Sequence, residues 1–291
     1  MHRNLDRLLR DYIAPPPGMP VIDFAAPAGA PALYSPHSVT WRIMKNPVSL
    51  LVGGVAGVIL ELAEPRVRTG VWDHTAFRND PVRRIRRTGY AAMATIYAPE
   101  AAARELIAGV VRRHDRVEGE TPTGAPYRAN DVELLNWVQA TAAFGFFEAY
   151  HRFASPLSAS ARDALYREGA GPTSLYGARG PRSAAETEAL FAGMAPKLER
   201  SGIVFEFLDI MRNAQLLPAR FLQRLMVRGA VEIIPNWARE ILGLGPEHGL
   251  NSGGVAVLRM LGALGERVVL ESAPPAQACL RLGLRADHLY F

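Results

Sequence analysis

The stretch from Pro81 to Gly119 holds the residues whose types and spacing could do chemistry: a lone histidine, His114, and upstream of it a cluster of arginines ending in Thr88. Leu106, Val110, His114 and Val117 recur at the spacing of one helix face, widened by Ile107 and Val111, which predicts an inward-pointing imidazole. Apolar surroundings favour the neutral ring, and the neutral ring is the form that ligates a metal. Arg112, Arg113 and Arg116 fall off the stripe, one turn or less from the ring, where they could meet carboxylates of a bound ligand. The plainer alternative is a core histidine that donates one hydrogen bond and does no chemistry.

The arginine cluster belongs to a preceding helix. Arg84, Thr88, Ala91 and Thr95 lie along one face and, apart from the arginine, are small, so a flat or bulky ligand can approach the backbone there. Arg87 shares the edge of Arg84, while Arg83, Arg86 and Tyr90 point elsewhere. An RRxRR run is ordinarily a solvated face or a nucleic-acid patch. A fully solvated face has no need of Thr88, Gly89 and Ala91 directly after the charges, with Thr88 reading as buried.

The elements that must hold these two helices read as helical throughout. A helix over 2–13 and an extended arm, together 1–36, precede a helical domain over 37–291. Pro47 to Glu64 is bracketed by prolines as a buried helix, and its Gly53, Gly54 and Gly57 let another element pack close. Glu61 and Glu64 fall at its end, either solvated or with one facing the site as a base. Asn79 or Asp80 caps the arginine helix, Pro99 separates it from the histidine helix, and ETPTGAPYRAN is a turn-rich loop. Asn130 with Glu133 matches a capping box opening a central helix to Phe153 that is apolar nearly all round. Further helices follow, with GPTSLYGARGPRS as a loop and VVLES near Val268 as the best candidate for a short strand. The fold class is all-α: one large multi-helix domain with little or no sheet.

Composition narrows the function. The chain has 291 residues, 49% hydrophobic and 21% charged. That is enough for a large core. A net charge of +5 suits acidic ligands or a membrane surface, and spread over this length it does not imply nucleic acid. One cysteine, Cys279, excludes a disulfide framework within the chain and suggests a reducing, cytoplasmic setting. The apolar run from Val48 to Leu60 is short for a bilayer, so membrane contact is open but an integral span is not expected.

Zinc-protease, P-loop and G-x-S-x-G motifs are absent. A carboxylate-bridged di-iron bundle needs two Glu-x-x-His pairs, and only Glu148 with His151 has that spacing. An interior histidine beside arginines suits haem, with the imidazole axial and cations near the propionates.

SVTWRIMKNP, GGVAGVILELAEP, VRTGVWDHTAFRNDPVRRIRRTGY, VVRRHDRVEG and YRANDVELLNWVQAT, in this order, resemble the haem-binding catalytic domain shared by rubber oxygenase (latex-clearing protein) and the oxygenase of mycophenolic acid biosynthesis. The resemblance covers about Ser38 to Phe153 and continues more weakly through LPARFLQRL and IPNWAREILGL. It implies an all-α fold, haem b (iron), dioxygen as co-substrate and a small apolar organic substrate, isoprenoid or otherwise unsaturated. By the same resemblance His114 is the proximal iron ligand, and Arg84, Arg87 and Thr88 form the oxygen-side catalytic group. Arg113 and Gln139, with Arg84, would contact the cofactor. Arg87 stands where rubber oxygenase has lysine, and Gln139 and Glu64 stand where the family often has histidine. The alternatives are a peroxide-using haem enzyme and a non-catalytic helical protein that binds haem or a lipid.

Overall fold

The computed structural model describes residues 14–290, so the helix expected over 2–13 lies outside the described residues. Among these the chain forms thirteen α-helices and one two-stranded hairpin. They are α1 (Val39–Met44), α2 (Pro47–Glu61), α3 (Pro65–His74), α4 (Pro81–Tyr97), α5 (Glu100–His114), the strands β1 (Glu118–Glu120) and β2 (Pro126–Arg128), then α6 (Val132–Phe153) and α7 (Ala159–Leu175). The remainder is α8 (Ala184–Met194), α9 (Gly202–Asn213), α10 (Arg220–Glu232), α11 (Asn236–Leu242), α12 (Ser252–Gly265) and α13 (Pro274–Arg281). The all-α expectation holds.

The helices start where short polar side chains can take up otherwise unpaired backbone N–H groups. Asn46 Oδ1 accepts from Val48 N at 3.0 Å. Pro47 sits at the first position of α2, where its missing donor costs nothing. Asp80 caps α4 by accepting from Arg83 N at 3.2 Å. Asp131 caps α6, not Asn130: its Oδ1 accepts from Glu133 N at 2.8 Å, leaving Asn130 free for another partner.

Packing starts from α2 against α6. These helices run antiparallel, with Gly53 beside Gly145 and Phe146, Gly57 beside Ala142, and Trp137 Nε1 donating to Leu60 O at 3.1 Å. Antiparallel packing brings the C-terminus of α2 beside the N-terminus of α6. Around this pair α3, α8 to α10 and α12 build one apolar cluster, while α1, α4, α5 and α13 build a second. The second holds Trp41, whose Nε1 donates to Ile96 O at 3.0 Å.

Four boundaries differ from the sequence reading. The Val268 segment is irregular, because an isolated extended run has no sheet edge to pair with. The histidine helix stops at His114, β1 takes the stretch just before the expected loop and β2 lies within it, and Gly124, with a positive φ, supplies the turn between them; glycine takes that conformation without steric cost. Helix α7 continues through Pro172 to Leu175, since burial of Pro172 and Thr173 outweighs the lost backbone bond. Helix α13, unanticipated, anchors the N-terminal arm: its buried Arg281 donates to Phe24 O at 2.7 Å and to Ala30 O at 2.9 Å.

No single helix among the described residues is long and apolar enough to cross a membrane. The bent pair α2 and α3 passes by length and composition, but it turns by 112° and α2 lies in the core.

A Cβ at Gly145 would run into Gly53 O, a backbone atom that cannot swing aside. Gly145→Ala should therefore destabilise the fold by about 2 kcal/mol or more. Thermal unfolding against Gly89→Ala, whose added methyl meets nothing within 4 Å, checks it: equal midpoints would contradict the close contact.

Candidate functional site

Helices α4 and α5 are consecutive and separated only by Ala98 and Pro99, so they fold back on each other as an antiparallel pair. Arg84 stands about as far before this turn as His114 stands after it, and the two therefore meet at the same end. Burial is the main cause holding His114 below its ordinary range, and the nearby Arg84 charge adds to it; both disfavour the charged ring. Asn130 and Asp115 oppose that shift, and Arg113 reinforces it. The result is a half-buried, neutral imidazole at the last residue of α5.

Asn130 is held through its amide nitrogen. Its Nδ2 donates to Asp115 Oδ1 at 2.6 Å and to Val111 O at 3.3 Å. With both acceptors on the nitrogen side, Oδ1 is the end left to accept from another donor. Neither His114 Nδ1 nor Asn130 Oδ1, both buried, completes a hydrogen bond in this geometry, although the amide is near enough to act on the ring.

Arg84 is the centre of the remaining charge. Burial lowers its affinity for its proton, Glu61 opposes this, and Arg87 and Arg113 add to it. Its Nη1 donates to Thr88 Oγ1 at 3.0 Å, and its buried Nε has no partner. Arg87 is lowered in turn by burial and then by Arg113 and Arg83. Three guanidinium groups thus crowd one region with Glu61 as the carboxylate that acts on Arg84, a surplus of positive charge suited to anionic groups on a ligand.

Glu61 reaches this region from the C-terminus of α2. Burial pushes its carboxyl up to about 7, against the pull of Arg84. Glu64 does not join it. Its side chain caps α3, accepting from Val67 N at 2.8 Å and from Arg66 Nε at 2.7 Å. A carboxylate is favourable at such a helix N-terminus.

Arg84, Arg87, Arg113 and His114 are brought together as the spacing suggested. Thr88 is exposed, not buried: no described element covers that part of α4, and its hydroxyl is engaged with Arg84 Nη1 and with Arg84 O at 3.1 Å. Gln139 is half-buried on α6, and no described residue bonds to its amide. Glu148 and His151 are occupied elsewhere, the first with Arg162 and the second accepting from Leu157 N at 3.0 Å.

A cleft of about 430 Å³ opens beside His114, lined by Asp115, Val117, Glu118, Arg128, Asn130 and Asp131. It lies on the hairpin side of the ring and does not reach the α4 arginines. Among the described residues no channel opens between α2 and α6, because the glycines there draw the backbones into contact. Asn130 is the site residue that the sequence reading missed; its signal was the turn-rich segment that returns the chain from His114 to α6.

Residues 41–263 match the family model described as ER-bound oxygenase mpaB/B'/Rubber oxygenase, catalytic domain. The chain belongs to this oxygenase family. No curated protein and no solved structure matches it significantly. The matched span contains every residue of the site from Glu61 to Gln139, so the polar cluster at the ends of α2, α4, α5 and α6 lies inside an oxygenase catalytic domain.

Folding keeps Glu61 protonated to higher pH than the 4.5 of an unperturbed glutamate. Between about 4.5 and about 7 the folded state therefore binds more protons than the unfolded one, and stability falls as pH rises through that window. Discounted for partial exposure, the penalty above it is on the order of 2 kcal/mol. In cofactor-free protein, Glu61→Gln should raise the unfolding midpoint more at alkaline than at acid pH. A gain confined to acid pH would contradict a buried, proton-holding carboxyl.

Proposed function

We propose that this chain is a haem b-dependent oxygenase that oxidises or cleaves an unsaturated apolar substrate with dioxygen. The observation that carries the reading is the meeting of a neutral, half-buried His114 with the Arg84, Arg87 and Arg113 cluster inside an oxygenase domain. Among the described residues no group of three or more His, Cys, Asp or Glu side chains could hold a metal ion. A single imidazole suffices when a macrocycle supplies the other ligands.

The residues present fit such a group. His114 offers one ring nitrogen to iron, while the Asn130 amide acts on the ring, the kind of outer partner that fixes tautomer and ring orientation at ligating histidines. The guanidinium surplus suits two propionate carboxylates, and the open surface over Thr88 and Gly89 leaves space against the α4 backbone. When bound, the haem supplies the redox chemistry that joins dioxygen to substrate.

Arg84 and Arg87 act as donors on the reacting side, and Thr88 keeps a hydroxyl against Arg84 that can turn to a ligand. With its carboxyl held near 7, Glu61 can accept a proton at neutral pH and return it. Gln139, whose amide no described residue bonds, can meet the cofactor with it.

A second reading, a haem enzyme that uses peroxide, is favoured by one feature: the buried, unpartnered Arg84 Nε is a donor able to polarise an oxygen–oxygen bond. Turnover of a polyisoprenoid by haem-reconstituted protein under labelled dioxygen, with and without catalase, separates the two. Label in the product that survives catalase is expected. Turnover that requires added peroxide would contradict the oxygenase reading.

Asn130→Ala should weaken haem binding by roughly tenfold to a hundredfold, the range for loss of an outer partner of a ligating histidine. Titration with haem followed by absorbance checks it. Unchanged affinity would remove Asn130 from the site.

A further inference from the structure

Helices α10 and α12 pack side by side and run in the same direction. A Cβ at Gly254 would meet Leu225 Cδ1 at 3.1 Å, and one at Gly229 would meet Leu258 Cδ1. The core-facing side of α12 is fixed by Gly262 against Phe153 O and Gly265 against Asn46. Its opposite side, with Ala256, Met260, Ala263 and Leu264, therefore faces outward and adjoins the outer face of α10.

Three of the six large hydrophobic side chains exposed among the described residues fall on these two helices: Phe221 at 72%, Met260 at 64% and Leu264 at 56% exposure. The exposed charge on these two helices is basic, their flanking Glu232 and Glu266 being partly buried. Arg220, Arg224 and Arg228 are exposed on α10, and Arg259 and Arg267 on and just beyond α12. Neither 214–231 nor 252–265 contains an Asp or Glu. Where these arginines are bonded, it is to neutral groups: Arg224 to Asn213 Oδ1, Arg228 to Gly249 O and Arg259 to Arg152 O. A surface that needed only solubility would intersperse acidic residues.

We propose that the joined outer faces of α10 and α12 form a membrane-docking surface for bilayers containing anionic lipid. Phe221, Met260 and Leu264 insert at the level of the headgroups, and the flanking arginines pair with lipid phosphates and carboxylates. The outward apolar side chains among the charges favour lipid over nucleic acid, which needs the cations and has no use for an aliphatic centre. The surface does not depend on His114 or on haem, so its failure leaves the oxygenase reading standing.

The test is sedimentation of the full-length protein with vesicles of phosphatidylcholine alone and with added phosphatidylserine. Binding is expected to the anionic vesicles and to weaken as salt is raised. Phe221→Ser with Met260→Ser and Leu264→Ser should weaken it roughly tenfold or more. Arg220→Gln with Arg224→Gln should weaken it roughly thirtyfold, at about 1 kcal/mol for each arginine. Arg179→Gln with Arg182→Gln, exposed in a separate loop, should leave it unchanged. Failure to bind, equal binding to both vesicle types, or the same affinity in all variants would overturn the proposal. So would binding to RNA in place of vesicles, or a dimer lost on replacing the three apolar residues without any lipid binding.

Discussion

The contact on which the rest of the structure depends is the close approach of α2 to α6 across Gly53 and Gly145. It fixes both helices at backbone distance and in opposite directions. Glu61, at the end of α2, and Asn130, just before α6, consequently lie at one end of the pair. The α4–α5 turn delivers Arg84 and His114 to the same place. Four helix ends, none of them able to make a site alone, bring an imidazole, an amide, a carboxyl and a guanidinium cluster within electrostatic reach of one another.

The energetics of this region are those of function more than of stability. A hydrophobic interior satisfies its polar groups, yet here Arg84 Nε, His114 Nδ1 and Asn130 Oδ1 are buried without a completed hydrogen bond. Guanidinium groups repel one another, and a glutamate is held close to neutral. Such arrangements persist when a ligand or a reaction uses them. Arg281 differs in part: it is enclosed and stands apart from other guanidinium groups, and it directs Nε and Nη1 to carbonyls of the arm while Nη2 is left without a partner.

Much of this was legible in the residues. Apolar spacing around His114 gave an inward face, and Pro99 marked the break between its helix and the arginine helix. Prolines and caps marked the helix starts closely, since those signals are local. What was not legible depended on distant partners. Glycines on α2 read as a place for close packing, but which element fills it depends on Gly145 of the distant α6. Glu64 read as a possible base and became a cap because the chain bends after Leu62. Thr88 read as buried because its helix face beyond Arg84 is small; covering it requires a neighbour that the described residues do not supply there. Asn130 looked like a cap in sequence and was released for the histidine by Asp131 beside it.

The central claim is that His114 bonds to haem iron. Its most direct test is the absorbance spectrum of haem-reconstituted protein carrying His114→Gly, recorded before and after adding free imidazole. If His114 is the ligand, the Soret band of the wild type is lost or displaced in the variant and returns with imidazole. A variant whose spectrum matches the wild type without imidazole would show that the iron is held elsewhere.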